Sequence, residues 1–412
     1  MNRLHSINLP VLVLLLSFFA SFDVSVPACS WDYPIWQNRD KNADPYYRFV
    51  RDGMVGYIDK KGKIVVQPSS TVFLGGNGGG EFHDGLLLTG VNDGPYLDTT
   101  GKIVLDIPLY HNWDFSEGLA AVMPSNAANR WGYIDRTGKF VIEPKFESYP
   151  VGYVSPFADG MAMIEVGKQY GFIDTKGNFA IPPSYLWARG FSEGRARVII
   201  DGPCSRPGFE EPCDFGETLG KTADAQNVTA CKFGFIDKSG HLVGTNEFED
   251  ARDFSEGLAA VQKNGKWGFI DKTGNVVIPF KFGRVGSFSD GLALAAEGGM
   301  WDGKRWGYIN TAGKVVIPFQ FERAEDFSDG LAPVAKNADV NTENERWYYI
   351  DKNGNQAFRG IFALASPFFK GIGHVKQIPK SNEGHLSIRS GRFSYIDEKG
   401  RPVFNYEVND MK

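Results

Sequence analysis

Apolar and polar positions alternate along this chain in short bursts, and the bursts recur. Lys266 to Pro279 reads KWGFIDKTGNVVIP. Trp267 to Ile270 predicts a strand, because aromatic and β-branched residues suit a pleated, half-buried surface. Asp271-Lys-Thr-Gly274 predicts a type I turn ending in a left-handed glycine, a common hairpin connection. Asn275 to Ile278 predicts the return strand, ended by Pro279, which cannot donate to a ladder. Downstream, FSDGLALA predicts a turn at Asp290-Gly291 and a third strand, Leu292 to Ala295, with a fourth short strand near Phe280 to Phe282. Trp267 and Phe269 point to one face of the ribbon and Ile270 to the other, beside bare Gly268. Val276 and Ile278 share a face, and Val277 takes the opposite one. A ribbon of two or three strands cannot bury both of its faces alone, so neighbouring units must cover it. Gly268 leaves a gap that an aromatic ring or a neighbouring backbone could fill.

The unit is written repeatedly. Positions equivalent to Trp267 are Val55, Gly94, Trp131, Tyr170, Phe233, Trp306, Trp347 and Phe393, a period near 39 residues with one long interruption. A second motif alternates with the first: DFSEGLAAV from Asp114, PFADGMAMI from Pro156, GFSEGRARV from Gly190, DFSEGLAAV from Asp253, SFSDGLALA from Ser287 and DFSDGLAPV from Asp326. Self-similarity at this period predicts an all-β repeat protein of small antiparallel meanders. Two architectures fit: an open, curved array and a closed β-propeller. Propellers typically have about four to eight four-stranded blades. Nine anchors with three assignable strands each point to the open array. In an open array the end units face solvent and need not match the consensus, which suits Val55 and Gly94 at one end and Tyr348 and Ser394 at the other. The expected organisation is a leader at 1–28, a cap at 29–50 carrying Trp31, Trp36, Tyr46 and Tyr47, an array at 51–404 with an insertion at 201–232, and a tail at 405–412.

W-G-[YF]-I-D-x-x-G-x-x-V-I-P followed by F-S-[DE]-G-L-A resembles the WG repeat, or KWG repeat, of bacterial proteins. The motif positions are Trp131, Gly132, Asp135 and Gly138; Trp267, Gly268, Asp271 and Gly274; and Trp306, Gly307 and Gly313. Glu143 is an extra residue in the first copy, and Asn310 replaces Asp in the third. The resemblance covers roughly residues 50–404. It implies a β-rich interaction module, often exported or surface-attached. It implies no activity and no catalytic residues.

The N-terminus reads as an export signal. Leu9 to Phe22 is a mostly apolar run of fourteen, short for a membrane span and suited to a signal core, and Val26-Pro27-Ala28 offers small residues for cleavage after Ala28. Cys29 would then begin the mature chain. VPAC is similar to a lipoprotein box, so lipidation and an ordinary cut leaving Cys29 free or bridged both stand. No second run of spanning length follows. Cys204, Cys213 and Cys231 crowd into the insertion, where export makes a disulfide plausible, as Cys204–Cys213 or Cys213–Cys231.

The 44 Lys and Arg against 49 Asp and Glu give a net charge of −5, with no basic cluster. A nucleic-acid partner is therefore not expected, since duplex binding needs concentrated cations. His83, His111, His241, His374 and His385 have no i, i+4 pairing. GGNGGG, Gly75 to Gly80, lacks the Lys-Ser/Thr of a phosphate loop. Asp271 and its equivalents, with Glu256, Asp290 and Asp329, could bind Ca²⁺, but accepting turn hydrogen bonds is a sufficient role. No cofactor is implied. The expected function is a non-catalytic exported scaffold for a protein or glycan partner at the periplasm, the cell surface or outside the cell. The alternatives are an enzyme acting on envelope polysaccharide, which would need two converging carboxylates, and a passive spacer.

Overall fold

The computed structural model describes residues 42–69, 80–89, 94–127, 129–147, 153–201, 231–244, 247–298, 305–336, 346–378 and 390–409. Among these residues there is no helix. There are nine sheets, each antiparallel and each built from one contiguous stretch: 47–69, 82–105, 109–147, 161–185, 196–236, 250–282, 284–321, 323–350 and 364–408. All nine lie in one compact unit, 34–412. Each sheet contains one of the nine anchor positions or begins next to it.

The sixth sheet illustrates the unit. Its strands are Asp250–Ala251, Leu258–Lys263, Lys266–Asp271 and Val276–Phe282, in that spatial order. The WG strand pairs with the preceding strand from Leu258↔Asp271 to Lys263↔Lys266 without interruption. Its pairing with the following strand is broken. Trp267 faces Phe282, yet Phe269 faces Ile278. Three residues, Pro279, Phe280 and Lys281, therefore lie opposite Gly268 alone, in a bulge. The return strand does not stop at Pro279, as the sequence suggests, and Phe280 to Phe282 is not a separate strand. Proline is tolerated there because a bulge in an outer strand asks no ladder bond of it. A β-carbon on Gly268 would lie 2.5 Å from the Ile278 carbonyl oxygen and 3.1 Å from the Phe280 ring, so backbone and ring together fill the gap.

Packing runs from sheet to sheet. One cluster joins Trp267, Phe269, Ile278 and Phe282 of the sixth sheet to Val285, Phe288 and Ala293 of the seventh. The same pattern continues round to the ends. Tyr47, Phe49 and Ile58 of the first sheet share a core with Ile372, Phe393, Tyr395 and Tyr406 of the last. The Tyr47 hydroxyl donates to the Phe369 carbonyl at 2.9 Å, and the Tyr395 hydroxyl donates to the Arg48 carbonyl. The array is therefore a closed β-propeller and not the open array expected from the anchor count. Each unit turns slightly against its neighbour, and the turns add up until the ends meet. The anchor positions at the ends are not solvent-facing either: Val55 and Phe393 are each 1% exposed. Val55 packs with Phe82 and Leu87 of the second sheet, and Phe393 with Tyr47 and Phe49 of the first. Residues Tyr47–Arg51 and Pro402–Val408 are strands of the first and last sheets.

Candidate functional site

Two ends of the ring differ in character, and the repeat motifs explain one of them. The F-S-[DE]-G motif forms the turn that leads into the strand paired with the WG strand, between the first and second strands where a sheet has four. Asp84, Glu117, Asp159, Glu193, Glu256, Asp290, Asp329 and Lys370 all have φ near +50°, each followed by a glycine with φ near +80°. Positive φ at both central residues defines the tight hairpin turn whose twist matches the strands. The following glycine is needed because L side chains adopt that conformation at a cost.

Each acid then reaches the next sheet. Asp44 accepts from the Gly85 N–H, Asp84 from Gly118, Glu117 from Gly160 and Asp159 from Gly194, at 2.6 to 2.8 Å. Glu193 accepts from Gly257, Glu256 from Gly291, Asp290 from Gly330 and Asp329 from Gly371, over the same range. The serine of the motif adds a second link. The hydroxyls of Ser116, Ser192 and Ser255 donate to the carbonyls of Phe157, Phe254 and Phe288 of the following sheet. The phenylalanine points back the other way. Phe254, Phe288 and Phe327 meet Phe235, Phe269 and Tyr308 of the preceding sheet edge-on at 4.7 to 4.9 Å. The motif is thus a latch between neighbours, and its carboxylates are spread one per turn around the ring. Burial alone would raise the Glu193 carboxyl, but the Gly257 N–H and the Lys272 ammonium at 3.1 Å hold it below the usual range.

The aspartates of the D-x-x-G turns sit at the same end. The Asp271 carboxylate accepts from the Thr273 hydroxyl at 2.6 Å and from the N–H groups of Thr273 and Asn275. The Thr273 hydroxyl is the largest influence holding Asp271 below the ordinary carboxylate range. Asp135 has the same set of partners with Thr137 and Lys139 and is lowered likewise. Gly138, Gly274 and Gly313 have φ of 81°, 87° and 72° as the last residue of this turn, and Asn310 substitutes for Asp with the same backbone contacts. The anchors Trp131 and Trp267 are each 7% exposed and Trp306 is half-buried, so they are core residues rather than a ligand ladder. Gly132 and Gly307 repeat the close approach of Gly268.

At the opposite end leave the connections between second and third strands and between sheets. Their lengths vary widely. Asn264-Gly265 spans two residues in the sixth sheet, whereas 202–231 spans the same connection in the fifth. Segments 90–93, 299–304, 337–345 and 379–389 fall in equivalent connections. Beside the fifth connection, Lys232, Glu247, Glu249, Lys263 and Asn264 line a shallow depression. Cys231 packs against the core of the fifth and sixth sheets, while Cys29, Cys204, Cys213, most of the glycine run at 75–80 and His385 lie outside the described residues. His83 and His374 are buried, His111 is half-buried and His241 is exposed.

One constellation was not anticipated from the sequence. Charged residues in and beside the strands Ala196–Asp201, Asp250–Ala251 and Arg323–Ala324, of the fifth, sixth and eighth sheets, come together. Arg197 and Arg189 approach the Asp253 carboxylate at 3.3 and 3.9 Å. The Arg197 guanidinium also bonds the Ala251 carbonyl and lies over the rings of Trp187 and Phe233. Burial raises the Asp250 carboxyl against the pull of Arg197 and Arg252. Burial pushes Asp326 up to about 6, with Arg252 opposing it. The signal lay in ARDFSEG and ERAEDFSDG, where charges precede the motif, but only the fold brings Arg252 near Asp326.

A pH dependence follows. Between the unfolded carboxyl pKa of about 3.9 and the folded value near 6, the folded chain binds the Asp326 proton and the unfolded chain does not. Stability should therefore rise as pH falls from 7 towards 4. Below that, the lowered D-x-x-G aspartates are protonated and their contribution is lost. Thermal melts from pH 3 to 8 should show an acid-shifted maximum, and Asp326→Asn should flatten the rise between pH 7 and 5. An unchanged rise in that variant would assign it to another group.

The model of the WG containing repeat matches residues 56–69, 131–170, 170–202, 233–267, 267–301 and 306–338. No curated relative matches this chain. Among solved structures, the chain is similar to a crystal structure of the eukaryotic initiation factor, with a TM-score of 0.55 and 10% identity over 89% of this chain and 96% of that one. Kluyveromyces lactis Hsv2p aligns with a TM-score of 0.33 and 10% identity over 61% of this chain and 72% of that one. The WD40 beta propeller domain of Doa1 aligns at 0.27 and 8% identity, over 64% and 86%.

Proposed function

We propose that this chain, a WG-repeat protein, is a non-catalytic scaffold that is exported and holds a protein or glycan partner at the cell envelope. The observation that carries this reading is the division between the two ends of the ring. One end is built from the same turns in sheet after sheet, with their side chains committed to backbone partners. The other end carries the connections whose length and composition vary, and variable loops on a rigid frame are where recognition concentrates. The carboxylates support the same reading. Glycoside hydrolysis needs two of them converging across a cleft, whereas Asp44, Glu117, Glu256 and Asp329 each serve a separate turn, and Asp250, Asp253 and Asp326 gather around the arginines Arg197 and Arg252.

The insertion is the first surface to test. Its acids Asp201, Glu210, Glu211, Asp214, Glu217 and Asp224 outnumber the bases Arg206, Lys221 and Lys232. Replacing 202–230 by Asn-Gly, the turn used by the sixth sheet, while keeping Cys231 in the core, should leave the melting curve unchanged and weaken partner capture from envelope extract. Capture at full strength would remove the insertion from the binding surface. Failure of the intact chain to retain any partner saturably would favour a spacer. Cleavage after Ala28, the fate of Cys29 and a disulfide among Cys204, Cys213 and Cys231 belong to the same reading, and N-terminal sequencing with non-reducing peptide mapping checks them.

A further inference from the structure

The latch of acid onto glycine N–H is directional, and it is broken at one junction. Eight carboxylates, from Asp44 to Asp329, each accept from the glycine of the next sheet's turn. The ninth turn has Lys370 where the others have an acid, in the same left-handed conformation with φ 48°. The turn it faces, in the first sheet, has Pro45 at the position of the glycine. This follows from the register: Tyr47 pairs with Ile58 as Ala259 pairs with Ile270, so Pro45 stands where Gly257 stands in the sixth sheet. Proline has no N–H to offer. A carboxylate at position 370 would therefore meet no backbone donor in that turn, only the Ala43 carbonyl, and would keep just the side-chain partner Lys60, which stands where Lys272 stands beside Glu193. The Lys370 ammonium instead donates to that carbonyl.

We infer that Lys370 and Pro45 are a matched pair that designates the ninth and first sheets as the closing junction of the ring. The other sheets are barred from that junction by the same chemistry. If the eighth sheet met the first, Asp329 would face the Ala43 carbonyl and Pro45, leaving its carboxylate without the backbone partner it has at Gly371. Closure one sheet early is thereby disfavoured, although the F-S-[DE]-G turns are interchangeable elsewhere. The junction needs such a mark because no strand is exchanged between its sheets. Each sheet is contiguous in sequence, and among the described residues the first and last are joined through side chains such as Tyr47, Tyr395 and Phe49.

The pair can be exchanged for the common latch. In Lys370→Glu, amide exchange of the Tyr47–Arg51 and Ile372–Lys376 strands should quicken about tenfold, an opening equilibrium shifted by one decade. In Lys370→Glu with Pro45→Gly, the repeat's own acid and N–H are restored, and exchange should return to within about threefold of the parent. Lys370→Met should fall between the two. Exchange in Lys370→Glu that matches the parent would overturn the inference. So would a double variant opening as fast as Lys370→Glu, because additive effects mean that the two positions do not act together. Should Lys370→Glu fail to fold, recovery of folded protein in the double variant supports the pairing, and a double variant that stays unfolded while Lys370→Met folds overturns it.

Discussion

Gly268→Val is expected to destabilise the protein by about 3 kcal/mol or more, the range of severe overpacking. The added β-carbon would lie 2.5 Å from the Ile278 carbonyl oxygen and 3.0 Å from the Phe280 nitrogen. Both are backbone atoms of the bulge opposite, so neither can swing aside as a side-chain tip would. Gly257→Ala is the control. Its φ is +81° and nothing lies within 4 Å of the added atom, so only conformational strain is incurred, about 1 kcal/mol. Urea unfolding measures both. Equal midpoint shifts for the two variants would refute the close-approach account of the WG glycine.

Phe269→Ala is expected to cost on the order of 3 to 5 kcal/mol, as for truncation of other buried aromatics. Its ring is fully buried and meets Phe288 of the seventh sheet edge-on at 4.8 Å. This contact is one of the joints that carries a sheet onto its neighbour, and the equivalent joints Phe172–Phe191 and Tyr308–Phe327 have the same geometry. A double-mutant cycle with Phe288→Ala isolates the pair, for which a coupling of about 0.5 to 1.5 kcal/mol is expected beyond area burial. Strict additivity would show that the two rings are buried independently. Circular dichroism during unfolding would show whether the loss spreads round the ring or stays in one sheet.

The motifs themselves were legible at the level of single turns. Asp271 and Gly274 take the turn read from their spacing, and Gly268 lies against the neighbouring backbone and ring that its bareness suggested. Pro279 misled, because a proline in isolation reads as the end of a strand, whereas the bulge that accommodates it is visible only in the pairing of Trp267 with Phe282. The role of Glu256 was half-legible. Its turn could be read from FSEG, but the partner of its carboxylate, the Gly291 N–H, is 35 residues away on another sheet. The cluster around Asp253 and Asp326 was not legible, since its members come from three different sheets and nothing local relates them.

The same division holds for the molecule. Alternation, turn chemistry and a period near 39 residues determine an all-β chain of small meanders that must cover one another, because those are local requirements that each copy states for itself. Whether the copies end freely or meet is decided by the small rotation between adjacent sheets, accumulated over the whole ring. That rotation is set by contacts between copies, such as Phe269 on Phe288 and Glu256 on Gly291. Only the closed structure gives Phe393, Pro45 and Lys370 their meaning: residues at opposite ends of the repeat array are brought together at one junction.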